Sequence, residues 1–281
     1  MDPEQFEYVR TLLLERSGLV VTPEKMYLLE TRLFPVARRH GCRTIEELIT
    51  HYREHRNEAV AIDISEAMNT HESLFFRDNA PFELFKKTII PELIKRRAEQ
   101  KKIRVWCAAC SSGQEPYSLA MILDDLSAEL EGWQVDIIAT DISHSVLQRA
   151  AEGSFTQFEV QRGLPVQYLV KHFTQEYETW RLSSSIRNRV KFQHFNLLSD
   201  PRVLGKFDVI FCRNVLIYFD LATKTKVLDR MVNVLAGDGV LFLGSSESTI
   251  GITDKFWPVV AGRGVYKHTG GAPCLVESGV S

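Results

Sequence analysis

From about Ile89 onward the chain alternates short apolar runs with helix-patterned segments, and this alternation constrains the fold more than any other feature. The runs read as strands at Ile103–Ala108, Val135–Thr140, Val190–Phe195, Asp208–Cys212 and Val240–Gly244. Helices are expected over Pro91–Lys101, Pro116–Leu130, Ser143–Glu152 and Ala222–Leu235. Strands alternating with helices imply a parallel sheet covered by helices, an α/β fold. The stretch from Phe155 to Arg189 breaks the pattern. It holds a short helix, Pro165–His172, and an alternating run in "YETWRLSSSIRNRV", and reads as a small β insertion. "FWPVVAGRGVYKH" reads as a closing hairpin at the sheet edge, and "TGGAPCLVESGVS" as a disordered tail.

Residues 2 to about 70 read differently, as helices only. "PEQFEYVRTLLLERSG" has helical apolar spacing and stops at Gly18. Thr22 and Pro23 mark a helix start, running to Gly41 with a kink expected at Pro35. "TIEE", Thr44 to Glu47, is a capping box, and a fourth helix should cover Asn57 to Met68. The expected organisation is therefore an all-helical domain over 1–70, a linker over 71–88, and an α/β domain over 89–268. The α/β domain carries its insertion at about 155–190, and a tail follows over 269–281.

Composition narrows the classes. With 44% apolar and 25% charged residues, the 281-residue chain suits a globular protein with a substantial core. A formal net charge of −2 argues against general nucleic-acid binding. "MDPEQFEYVR" has no signal-peptide pattern, and no apolar run approaches the roughly 18 residues of a membrane span. Five cysteines, an odd number, fit a reducing, cytoplasmic setting better than a disulfide framework.

The most informative stretch is "VWCAACSSGQEPYSLAMIL", Val105 to Leu123: strand, small-residue loop, helix entrance. Such a turn is an anion or nucleotide site in α/β proteins. Only Gly113 is present where a dinucleotide fingerprint needs three glycines. Cys107 and Cys110 have Cys-x-x-Cys spacing, but no second pair completes a zinc site, so they read as small residues packing between strand and helix. Metal binding is not expected, and His51 and His55 in "HYREH" read as a solvated face.

Ligands in open parallel sheets lie beyond the carboxyl ends of the strands. There the chain places Gly113, Gln114 and Glu115, then Asp141, then Asn196, then Arg213 and Asn214. Asp141 ends the second strand, where an acid commonly accepts ribose hydroxyls. Glu115 puts a carboxylate where a pyrophosphate would sit, which suits a nucleoside carrying positive charge, such as S-adenosylmethionine. Each acid alone has another reading: Glu115 as a first-turn acid favoured by the helix dipole, Asp141 as a cap for the helix near Ser143. Their joint placement favours the ligand.

The segments "NTHESLFFRD", "CSSGQEPYS", "ATDIS", "FNLL", "FDVIFCRNVLIYF" and "LAGDGVLFLGSSES" together resemble the chemotaxis-receptor glutamate methyltransferases of the CheR type, over nearly the whole chain. The resemblance implies a Rossmann-like class I methyltransferase domain with an inserted small β subdomain, preceded by a small all-α domain. It implies that His71, Ser73, Arg77, Glu115, Asp141, Asn196, Leu197, Arg213 and Asn214 surround S-adenosylmethionine. Arg77 and Tyr218 should lie nearest the transferred methyl, and the products should be a glutamyl methyl ester and S-adenosylhomocysteine. Without the resemblance Arg77 would read as a surface ion pair and Tyr218 as a core aromatic. Family members usually show asparagine where this chain has His71; an imidazole changes charge in the physiological range, which bears on the pH behaviour of donor binding.

The implied partner is the cytoplasmic domain of a methyl-accepting chemotaxis receptor, met by a monomer with no membrane insertion of its own. Lys25, Arg32 and Arg39 at seven-residue spacing, with Arg38 adjacent, form a docking stripe or a solvated helix face. Some relatives bind a short receptor C-terminal peptide through a longer hairpin with a Gly-x-Gly turn. Here no glycine occurs between Gly163 and Gly205, so a shorter hairpin and a peptide-independent enzyme are expected.

Overall fold

A computed structural model describes residues 1–260 and 264–270. The expected tail falls outside the described residues from position 271 onward. The described chain forms two compact units: Met1–Thr70 with Tyr218–Thr223, and His71–Ile217 with the residues from Lys224 onward.

The first unit is built from α1 (Pro3–Ser17), α2 (Met26–Arg39), α3 (Ile45–His55) and α4 (Glu58–Met68). Local chemistry explains the boundaries. Asp2 and Gln5 form a reciprocal capping box at the start of α1, and Gly18, at φ 75°, ends it in the left-handed conformation that glycine reaches without steric cost. Thr44 accepts the Glu47 N–H, but the Glu47 carboxylate reaches back to the Arg43 N–H instead of that of Thr44, so the expected "TIEE" box is only half made. α2 runs through Pro35 with that ring on the exposed side. The apolar stripes close on a core of Val9, Leu13, Leu29, Leu33, Leu48, Ile49, Val60 and Ile64.

The second unit carries β1 (Lys102–Ala108), β2 (Gln134–Asp141), β3 (Ser154–Thr156), β4 (Phe173–Glu176), β5 (Thr179–Leu182), β6 (Val190–His194), β7 (Phe207–Cys212), β8 (Leu235–Leu243), β9 (Phe256–Val260) and β10 (Val265–His268). The main sheet has the order β6-β2-β1-β7-β8-β10-β9. Its first five strands are parallel; β10 and β9 close the edge as the expected antiparallel hairpin. The order reverses between β1 and β7, which makes the carboxyl ends of those strands the switch point where ligands bind. Further helices are α5 (Ala80–Leu84), α6 (Ile90–Arg96), α7 (Gln114–Asp125), α8 (His144–Glu152), α9 (Gln157–Gln161), α10 (Val166–His172), α11 (Ser184–Arg187) and α12 (Leu221–Val232). Ile103, Val105, Phe211 and Phe242 of the sheet share one core with Leu119 and Ile122 of α7 and with Phe75, Phe82 and Phe85. At the amino ends of the strands Arg97 grips both Asp208 and Asp238, so that edge is closed by ion pairs.

Several boundaries differ from the sequence reading: the helices expected to reach Lys101 and Leu130 end at Arg96 and Asp125. Helix begins at Ala80, well before Pro91, because the Ile90 N–H reaches back five residues to the Phe85 carbonyl and this wider turn lets the chain pass the proline. The expected helix to Leu235 stops at Val232, and β8 starts at Leu235, pairing with Phe207 ahead of an irregularity in the ladder. The insertion is a three-stranded antiparallel sheet, β3-β5-β4, braced by α9 to α11. Its hairpin turns in two residues, Tyr177 and Glu178, with Tyr177 at φ 54°.

Candidate active site

The loop leaving β1 is wound by its backbone: Ala109, Ser111 and Gly113 have φ of 61°, 51° and 94°. A left-handed conformation at a residue other than glycine costs about 1 kcal/mol or more and persists only where the surroundings enforce it. Asp141 and the end of β2 supply that enforcement. The Cys110 N–H donates to the Thr140 carbonyl at 2.8 Å, and the Ser111 N–H donates to Asp141 Oδ2 at 2.9 Å. Asp141 Oδ1 accepts from the Ser143 N–H at 3.1 Å, while Ser143 itself caps α8 through the Val146 N–H. Asp141 thus ties the β1 loop to the α8 entrance, and the cap proper is Ser143. Burial, to 6% exposure, pushes the Asp141 carboxyl up; the two N–H groups and the nearby His71 ring pull it back in part. The His71 carbonyl accepts from Ser111 Oγ at 3.1 Å, which brings the start of the linker to this loop. Cys107 and Cys110 are fully buried, and burial raises both thiols well above their ordinary range.

Arg213, just past β7, is the hub of the next cluster. Its side chain is 1% exposed. Nη1 donates to Glu115 Oε2 at 3.1 Å; Nη2 donates to Asp78 Oδ2 at 2.6 Å and to the Arg77 carbonyl at 2.9 Å. The guanidinium lies 5.6 Å from the Phe82 ring centre, and its Nε–H is buried without a partner. The guanidinium therefore fixes the linker against α7. Burial raises the Glu115 carboxyl, opposed by Arg213 and more weakly by Arg77. The linker turns sharply, with Phe76, Asp78 and Asn79 at φ of 49°, 67° and 45°. Its Phe76 N–H is held at 3.0 Å by Ser118 Oγ, which in turn donates to the Gln114 carbonyl. Gly163 of the insertion has φ 86°, and a Cβ there would lie 2.2 Å from the Phe75 carbonyl oxygen, so only glycine fits. Ser73 and Arg77 are half-buried in the same linker.

Beyond β6, Asn196 Oδ1 accepts the Leu198 N–H at 2.9 Å, Leu197 is buried, and Arg230 grips the Leu198 and Ser199 carbonyls. Beyond β7, Asn214 is left-handed at φ 58°, a conformation asparagine tolerates better than most residues. This loop is held by Glu247, which the sequence reading left out although it lies inside "LAGDGVLFLGSSES". Glu247 Oε2 accepts from the Gly244 and Asn214 N–H groups, both at 2.7 Å. Glu247 Oε1 accepts from Val215 and Leu216, at 2.9 and 2.8 Å. A lone acid following a glycine in a serine-rich turn was the available signal. His71, Ser73, Arg77, Glu115, Asp141, Asn196, Leu197, Arg213 and Asn214 all belong to the second unit; hydrogen bonds join His71 to Asp141 through Ser111, and Arg213 to Glu115 and the Arg77 carbonyl. Tyr218 belongs to the helical unit, where its carbonyl accepts the Val20 N–H at 3.0 Å.

The basic stripe changes character. Arg32 Nη1 donates to the Met68 and Asn69 carbonyls at 2.8 and 3.2 Å, so this residue caps the end of α4 from within and is half-buried. Arg39 lies 3.6 Å from Asp63, Arg38 covers the Phe34 ring at 5.0 Å, and Lys25 is exposed.

The chemistry gathered at the switch point tests what ligand fits. Carboxylates of Asp141, Glu115, Asp78 and Glu247 outnumber the guanidiniums of Arg77 and Arg213. Glu115 stands in the first turn of α7, where an anion would otherwise bind. Residues 71–264 match the family model described as CheR methyltransferase, SAM binding domain, and residues 4–62 match CheR methyltransferase, all-alpha domain. Chemotaxis protein methyltransferase Cher2 of Pseudomonas putida is 37% identical over 264 residues, covering 92% of this chain and 96% of that protein. Chemotaxis protein methyltransferase 1 of Pseudomonas aeruginosa is 39% identical with the same coverage. The chemotaxis protein methyltransferase of Vibrio parahaemolyticus is 36% identical over 94% of this chain and 96% of its own. The α/β unit is a Rossmann-like methyltransferase domain that binds S-adenosylmethionine. With both domains matched, the chain belongs to the CheR methyltransferase family.

Proposed function

We propose that the protein transfers the methyl group of S-adenosylmethionine to glutamate carboxylates on the cytoplasmic helices of chemotaxis receptors, acting in the cytoplasm as a monomer. One observation carries this reading: similarity to chemotaxis protein methyltransferases extends over nearly the whole chain, through both the helical and the donor-binding domains. When bound, S-adenosylmethionine supplies a methyl carbon made electrophilic by its sulfonium. Asp141 accepts ribose hydroxyls, Glu115 complements the donor's positive charge, and His71, Ser73, Asn196, Leu197, Arg213 and Asn214 complete the enclosure. A glutamate acceptor is ionised at neutral pH, since its ordinary pKa is about 4.3, so no general base is required. As the new C–O bond forms and the C–S bond breaks, the electron pair of the latter passes to sulfur, and the two opposite charges cancel.

The work left to the chain is alignment and water exclusion. Acceptor oxygen, methyl carbon and sulfur must lie in line at about 3 Å approach. Arg77 orients the acceptor with few donors, because a pocket that clung to the carboxylate would hold back its charge loss. Labelled donor incubated with receptor cytoplasmic fragments, with DNA, and with no acceptor tests the reading. Base-labile label appearing only on receptor glutamates is the expected result; label on DNA, or on nothing while the donor still binds, rejects it.

A further inference from the structure

The loop Asn214–Ile217 and the turn at Gly244 point five backbone N–H groups at one spot, and Glu247 fills it: four at 2.7–2.9 Å and the Ile217 N–H at 3.4 Å. Successive N–H groups converging in this way form an anion-binding nest. Here the anion is internal. Glu247 is 8% exposed, and among the described residues no lysine, arginine or histidine pairs with it. Buried N–H groups without an acceptor would each cost about 1–3 kcal/mol, so the loop conformation and the carboxylate are mutually dependent. Space enforces the same arrangement: a Cβ on Gly244 would lie 2.7 Å from both Asn214 Nδ2 and Glu247 Oε2. The loop so fixed is the one that follows β7 at the switch point and presents Asn214.

We propose that Glu247 is a positioning residue for the methyl donor: its carboxylate stands in the nest where a free anion would otherwise bind, and so holds Asn214 in its left-handed conformation at the donor site. The inference rests on Asn214 contacting the donor. It distinguishes Glu247 from an ordinary core acid, because the nest emptied by truncation is shaped for a small carboxylate, and formate should restore what Glu247→Ala removes.

The experiment is titration of S-adenosylhomocysteine into the full chain by calorimetry, with formate or chloride at equal ionic strength. Glu247→Ala should bind about tenfold more weakly or worse, the scale of losing hydrogen bonds to a charged acceptor. Formate should recover most of that loss and leave the unmodified protein unchanged. Glu247→Gln, which keeps one carbonyl oxygen in the nest, should fall between the two. In receptor-methylation assays the donor KM should rise while kcat at saturating donor changes little. Asp125→Asn, a remote destabilising control, should move neither. A folded Glu247→Ala that binds as tightly as the unmodified protein overturns the proposal, as does a loss that formate does not recover. If Glu247→Ala does not fold, Glu247→Gln decides: an unchanged donor KM overturns the proposal. An unmodified protein that fails to bind S-adenosylhomocysteine overturns the donor-site reading itself, and this inference falls with it.

Discussion

Truncating Arg213 would strand the buried carboxylate of Glu115 and leave Asp78, whose side chain is 37% exposed, to the solvent. Removing one partner of a buried ion pair typically costs about 3–5 kcal/mol, because the remaining charge is left without compensation. Arg213→Ala should therefore lower stability by about that amount in urea unfolding, and Arg213→Lys by less, since one ammonium cannot span both acids. A loss below about 1 kcal/mol for Arg213→Ala would show the pairs to be solvated. Arg213, Glu115 and Asp141 were legible as strand-end positions, because the strand pattern places them where α/β ligands bind. Their immediate partners were not. Arg213 meets Asp78, 135 positions away, and Asp141 takes its contacts from backbone N–H groups that no side-chain motif announces. Glu247 was missed for the same reason: all the donors that define it are main chain.

Between elements, the C-terminal end of α7 meets α10 of the insertion in a charged seam, and its pH dependence has two components of the same sign. Burial raises the Asp125 carboxyl, but hydrogen bonds from Lys86, Tyr168 and Lys171 outweigh it and hold the group at about 2. A folded pKa below the unfolded value of about 3.9 gives stability that is present above pH 4 and is lost as pH falls through 2. Asp125→Asn should thus cost about 2 kcal/mol at neutral pH, with the gap to the unmodified protein closing below pH 4 in urea titrations. His172 works at higher pH. It is 5% exposed, its Nε2 lacks a partner, and Nε2 lies 3.9 Å from Asp124. Burial lowers its pKa, Lys171 and Arg189 add to that, and Asp124 and Asp125 oppose it. The unfolded chain therefore takes up this proton first, near pH 6.5, and stability declines as pH falls from there to the folded pKa. His172→Leu should flatten that decline; an unchanged slope between pH 7 and 5 would exclude His172 as its source. The elements themselves were largely readable, since the periodicities are strong. Two of the misplaced boundaries lie where a local rule was overridden: a proline accommodated by a wider helical turn, and an apolar helical spacing captured early by the β8 ladder.

For the molecule as a whole, the sequence carried the two-part organisation and the donor class. The basic face expected to dock the receptor is where the structure alters the expectation most. A seven-residue basic spacing marks one face of a helix but does not say which side chains remain available. Arg32 is engaged by the Met68 and Asn69 carbonyls, where a guanidinium also complements the negative end of α4. Arg32→Glu should therefore destabilise the helical unit by about 1–3 kcal/mol, the scale of a lost charged hydrogen bond with its acceptors left behind. Its effect on methylation would then report folding more than docking. Lys25 and Arg38 are exposed, and Arg38 forgoes only a cation–π contact with Phe34 worth about 0.5–1 kcal/mol. The informative variant is Lys25→Glu with Arg38→Glu. If an acidic receptor helix docks on this face, the double variant should keep its melting temperature and donor affinity while receptor methylation falls, most steeply at low salt, where exposed charges attract over longer range. The two-residue turn at Tyr177 and Glu178 leaves β4 four residues long, a short edge for adding a peptide strand. Removing the last residues of the receptor should accordingly leave methylation unchanged. Tight binding of a receptor tail peptide in calorimetry, or full methylation by the double variant at low salt, would transfer receptor recognition from the helical unit to another surface.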